Sequence, residues 1–158
     1  MAVSQLIPAA VAMLLSTAAL AGDLPDPALT PGDVNPSLTK QAICDAAFTT
    51  RPFRSLSRWV RLRTYARYHA VNHFGECAGR GGCEIDHLIP LELGGSNDIK
   101  ILWPQPVSAQ PWNTRRKDDL ENRLRFLVCT NAIPLEDAQK EIANDWTDAY
   151  QAHIGSPP

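Results

Sequence analysis

The chain is 158 residues long, one domain's worth and enough to bury a core. Its 44% hydrophobic and 20% charged residues exclude wholesale disorder. A net charge of −2 excludes a polycation that adheres to nucleic acid over its whole surface, so any such affinity has to come from local charge.

Residues 1–21 read as a signal peptide. The run from Leu6 to Leu20 is apolar but short and diluted with Ala, Ser and Thr, which disfavours a membrane span. Ala19-Leu20-Ala21 then gives an A-x-A cleavage pattern before Gly22. No Lys or Arg precedes the run, so its start carries only the α-amino charge. The expected destination is the periplasm or the medium, with no stable membrane association after cleavage. The cysteines agree with export. Cys44, Cys77, Cys83 and Cys129 all follow the cleavage point, and without a C-x-x-C knuckle two disulfides are favoured over a zinc site. Three pairings are possible. The Gly-rich stretch between Cys77 and Cys83 allows a small closed loop there, which would leave Cys44 to Cys129 as the long closure.

Residues 22–50 contain Pro25, Pro27, Pro31 and Pro36 with Gly32 and predict an extended arm, leaving 51–158 as the folded domain. From Ser55 to about His73, Leu56, Trp59, Val60 and Val71 fall at roughly helical spacing with Tyr65 and Tyr68 between them. Between residues 51 and 67 lie Arg51, Arg54, Arg58, Arg61, Arg63 and Arg67, and no acid lies between Asp45 and Glu76. An arginine-rich helix is ordinarily a solvated face, but such faces mix signs. A one-signed stripe also suits a phosphate backbone, for which Arg58, Arg61 and Arg63 are the candidates, joined by Arg115 and Arg116 further along.

Cys83 to Leu91 predicts a strand leading into a turn at Gly94-Gly95, and Ile99 to Trp103 a second strand ending at Pro104. A helix is expected from near Trp112 to Cys129, with Leu120, Leu124, Leu127 and Val128 on one face. A last helix starts at Pro134 with an apolar stripe of Leu135, Ala138, Ile142, Trp146 and Tyr150. The expected class is α+β: a small ββα hairpin-helix core flanked by an N-terminal Arg-rich helix and a C-terminal helix.

The chemistry concentrates at Asp86-His87. Adjacent residues of a strand point to opposite faces, so the carboxylate can bind a hard cation while the imidazole faces a water molecule. A diglycine turn returns the chain, and the following helix can present a second oxygen ligand. With Asp86-His87-Leu88-Ile89-Pro90-Leu91-Glu92-Leu93-Gly94-Gly95, this stretch resembles the HNH endonuclease, or ββα-metal (His-Me finger), family. Thr30-Pro31-Gly32, Asn35-Pro36, Leu102-Trp103-Pro104-Gln105-Pro106, Trp112-Asn113, Lys117-Asp118 and Asp145-Trp146 extend the resemblance over roughly residues 30–150, to an exported bacterial HNH-like group.

The resemblance implies a nuclease domain over residues 51–158. In it Asp86 is a metal ligand, His87 the general base toward the attacking water, and Asn113 the second protein ligand. Lys117, one turn along the helix, would reach a phosphate oxygen. Such oxygen ligands favour one Mg²⁺, ahead of Mn²⁺, Ca²⁺ or Zn²⁺. The implied activity is metal-dependent hydrolysis of phosphodiester bonds, in DNA sooner than RNA, with no protein partner. Asn113 also fits a plain helix N-cap, and Glu84 and Glu92 flank the site as hydrogen-bonding or surface residues. His69, His73 and His153 lack motif support. One departure stands out: the slot of the motif's middle Asn is Ile101, and Asn97, four residues earlier, either replaces it or serves only the turn. A catalytically degenerate envelope or interaction protein on the same scaffold is the competing reading.

Overall fold

The computed structural model describes residues 23–70, 77 and 82–157. The expected signal peptide, and Val71 and His73 of the Arg-rich stretch, lie outside the described residues. The architecture is α+β. Five helices, α1 (Lys40–Ile43), α2 (Arg58–Arg67), α3 (Thr114–Cys129), α4 (Leu135–Asn144) and α5 (Trp146–His153), surround a two-stranded antiparallel sheet of β1 (Cys83–His87) and β2 (Leu102–Pro106). None of the described helices is long and apolar enough to cross a membrane.

Helix boundaries follow from side-chain caps. Ser57 accepts from the Val60 amide at 3.2 Å to start α2, and Asn113 accepts from the Arg116 amide at 3.2 Å to start α3. The predicted last helix is two. Asp145 leaves helical geometry at φ −157° and its carboxylate accepts from the Thr147 and Asp148 amides at 2.9 and 3.0 Å, ending α4 and capping α5. The apolar stripe survives this break because Ile142 and Trp146 are both fully buried on either side of it.

The sheet also departs from expectation. Its register pairs Cys83 with Pro106, Asp86 with Trp103 and His87 with Leu102. The second strand therefore begins three residues later than predicted and contains Pro104 rather than stopping at it. A proline lacks only its N–H, and on a two-stranded sheet each strand has a free edge where that loss is harmless. Nor does Gly94-Gly95 form a tight hairpin. The strands are joined by 3-10 turns at Leu91–Leu93 and Ile99–Ile101, and the diglycine lies between them. Gly94 has φ +80°, and a Cβ on Gly95 would lie 1.9 Å from the Ile89 carbonyl, so the loop closes only without side chains there.

The core forms where α3, α4 and α5 meet this loop: Leu120, Leu124, Val128, Ala138, Ile142, Leu93, Ile101 and Leu102 are all fully buried. Burying each large aliphatic side chain contributes about 1.5–3 kcal/mol. Apart from α1, residues 23–50 are irregular but packed, since Leu38 and Ile43 enter this core and Val34 bridges Gly95. Two disulfides, Cys44–Cys129 and Cys77–Cys83, close the structure with the expected pairing. They fit a protein outside the cytoplasm, where thiols oxidise.

Candidate functional site

Asp86 and His87 end β1 and point to different neighbours, as alternation along a strand requires. Both line a cleft of about 320 Å³, walled also by Arg54, Arg61, Glu84, Asp118 and Glu121. α3 crosses below, and its first turns supply Lys117, Asp118 and Glu121.

The His87 ring is fixed by Asn97. Its Nε2 lies 2.8 Å from Asn97 Oδ1, while the Asn97 amide nitrogen donates to the Phe53 carbonyl. A carbonyl can only accept, so the amide NH₂ faces Phe53 and the amide oxygen faces the ring. Nε2 therefore carries the hydrogen and Nδ1 keeps the lone pair. Burial lowers the pKa of His87 from its ordinary value, against the opposing pull of the Asn97 bond and Asp86. At neutral pH the ring is an uncharged base.

Lys117 is buried, 1% exposed. Its Nζ sits 2.7 Å from Asp86 Oδ2, 2.5 Å from Glu121 Oε1 and 2.7 Å from the His87 carbonyl oxygen, to which it donates. Burial alone would discharge the amine, but Asp86 and Glu121 outweigh it and hold the ammonium above its ordinary pKa. One buried cation faces two carboxylates. Glu121 yields: burial raises its pKa, Lys117 only partly offsets this, and the charge of Asp86 adds to the rise. Glu84 and Asp118 are raised as well, by burial first and by Asp86 next. The cleft floor thus carries more acid than its single ammonium neutralises.

No family model, curated protein or solved structure matches this chain.

The expected residues fall into three groups. Asp86, His87 and Lys117 come together, but Lys117 is spent on the carboxylates and the β1 carbonyl and is not presented on the helix surface for a phosphate. Asn113 is engaged as a cap: its oxygen accepts from the Arg116 amide at the start of α3, and it is not among the residues lining the cleft. The position beside Asp86 Oδ2 is taken by an ammonium, and the Asn113 oxygen already accepts the cap bond. Among the described residues, no group of three or more His, Cys, Asp or Glu side chains is placed to hold a metal.

Of the arginines, Arg58, Arg61, Arg63 and Arg115 are exposed. Arg116 donates to the Pro111 carbonyl at 2.6 Å, and Arg67 to the carbonyls of Ile99 and Leu29, so both are structural ties. Glu92 lines the cleft beside Pro90 and Leu91. His153 pairs with Glu141 at 2.5 Å, away from the cleft, and His69 is exposed.

Sequence reasoning passed over Glu121, although its i,i+4 spacing from Lys117 is the usual signal of a helical ion pair. In the sequence Arg54 is only one of a stripe of arginines. That it walls the cleft depends on the turn at Arg51–Phe53, which periodicity does not reveal.

Proposed function

We propose that this chain hydrolyses phosphodiester bonds of nucleic acid, as an HNH-type endonuclease working in the periplasm or outside the cell. The observation that carries this reading is His87: a neutral imidazole, held through Nε2 by Asn97 with Nδ1 unprotonated, at a strand end in an open cleft rimmed by Arg54 and Arg61. Nδ1 would take the proton of an attacking water while the two guanidinium groups hold phosphate oxygens. DNA is the first substrate to test. No step is assigned to Mg²⁺ or another divalent ion, because the Lys117 ammonium sits at Asp86 Oδ2 and the Asn113 oxygen caps α3. Here Asp86 acts as a positioning residue, anchoring Lys117, which in turn grips the His87 carbonyl and fixes the end of β1.

Plasmid cleavage by the purified, oxidised protein tests the reading, with and without EDTA and with Mg²⁺ or Mn²⁺ restored. His87→Ala is expected to lower the rate by ~10²–10⁴-fold with an unchanged melting temperature. A mutant as fast as the wild type would remove His87 from the chemistry.

The buried Lys117 cluster favours a second reading, a scaffold that keeps the ββα arrangement without turnover. It ties up Asp86 as a structural ion pair would. This alternative expects no cleavage with any divalent ion.

A further inference from the structure

Helix α2 turns an unusual face outward. By its inward residues it is held to the sheet: Thr64 is fully buried, and the Tyr65 hydroxyl donates to the Cys83 carbonyl at 2.9 Å. On the opposite side Trp59 is 60% exposed and Leu62 55% exposed. A tryptophan placed in solvent forgoes its burial energy. The Arg63 guanidinium lies 4.6 Å over the Trp59 ring, holding the indole as a flat, cation-backed surface. Arg58 and Arg63 flank this face and Arg61 lies toward the cleft; all three are exposed, and among the described residues none of them forms an ion pair with a carboxylate. Arg61, two positions on from Trp59 and so on nearly the opposite side of the helix, belongs to the wall of the cleft that contains His87.

We propose that the outer face of α2 is a stacking platform for unpaired bases, with Trp59 as the base-binding ring, Arg58 and Arg63 as phosphate contacts, and Arg61, at the cleft wall, as the contact the strand meets once it has passed round the helix toward His87. The substrate class is then single-stranded nucleic acid, or the single-stranded part of a larger one. Stacking on an aromatic ring needs an exposed base face, which a duplex hides, whereas arginines alone would serve duplex and single strand alike. The platform rests on the nuclease reading only for the strand's destination. Its binding chemistry stands separately.

The experiment measures binding of fluorescein-labelled oligo(dT) and of a duplex of equal length by anisotropy. It uses the full chain carrying His87→Ala, so that the probes stay intact. Oligo(dT) is expected to bind more tightly than the duplex. Adding Trp59→Ala should weaken oligo(dT) binding by ~5- to 100-fold with little effect on the duplex, while Trp59→Phe retains most of it. Arg58→Ala and Arg63→Ala should each flatten the salt dependence by about 0.7 in the slope of log K against log salt. Melting curves for each variant confirm that an exposed position has been changed without loss of fold.

Equal binding of oligo(dT) by Trp59→Ala overturns the platform, even if plasmid cleavage by the wild type stands. Trp59-dependent binding without any cleavage keeps the platform and removes the nuclease reading. Trp59 and arginines also suit an anionic bilayer. Binding to phosphatidylglycerol vesicles that Trp59→Ala abolishes, with no affinity for oligo(dT), would overturn the proposal in favour of a membrane surface.

Discussion

Ile101 and Asn97 divide between them what the motif would have asked of one residue. Ile101 is fully buried among Leu102, Leu93 and the α3 leucines, and its carbonyl accepts from the Leu88 amide at 2.8 Å. Restoring an asparagine there would bury an amide without partners. Ile101→Asn is therefore expected to cost ~1–3 kcal/mol of stability and to gain no activity, read from urea melts beside cleavage rates. Asn97→Ala is the converse. Its side chain is exposed enough for the fold to tolerate the loss, but the His87 ring loses its only side-chain hydrogen bond among the described residues. The expected result is a lower cleavage rate with a nearly unchanged melting temperature. Its pH profile should still fall on the acid side, since burial keeps the ring's pKa below the ordinary imidazole value. Activity present above that lowered pKa is lost as the ring protonates beneath it. A rate that rises as pH falls from 7 to 5 would contradict His87 as base.

Helix α3 carries two roles that only its three-dimensional setting separates. Asn113 was open to two readings from sequence, and its bond to the Arg116 amide favours the cap. Asn113→Ala is expected to cost about 0.5–2 kcal/mol while leaving cleavage intact at temperatures well below melting. Loss of cleavage at unchanged stability would restore Asn113 as a ligand. Lys117 and Glu121 behave differently. Glu121 holds its proton more tightly folded than unfolded because burial raises its pKa. The stability this contributes is present below the unfolded carboxyl value and is lost as pH rises through the raised one. Glu121→Gln, which keeps a hydrogen-bond acceptor for Lys117 without the charge, should therefore flatten the decline of melting temperature from pH 5 to 8. Its helix was legible in advance, from the leucine spacing and the cap. The burial of Lys117 was not, because an ammonium enters a core only where distant carboxylates meet it, and Asp86 lies 31 positions away in sequence. Pro104 misled for a similar reason: its tolerance depends on which edge of the sheet stays free.

At the scale of the whole molecule, two closures of very different span hold the site in place. Cys77–Cys83 joins positions 6 apart and anchors only the entry to β1, whereas Cys44–Cys129 spans 85 positions and ties residues after α1 to the end of α3. Between the second pair lies every residue that lines the cleft. The Arg125 guanidinium reinforces the same junction, donating to the Ile43 carbonyl at 2.8 Å through Nη2. In the chain-entropy account the cost of closure grows with the logarithm of loop length, so the long disulfide stabilises by about 4–5 kcal/mol and the short one by less. The pair Cys44→Ala and Cys129→Ala is thus expected to lower the urea midpoint more than Cys77→Ala with Cys83→Ala. The effect on function should run the other way. β1 begins at Cys83 and ends at His87, and Tyr65 grips the Cys83 carbonyl, so freeing the short loop loosens the strand that presents the base. Cleavage measured far below both midpoints should fall further for the short-loop variant than for the long-loop one. Equal losses of activity, tracking stability alone, would mean that the Cys77–Cys83 closure has no part in positioning His87.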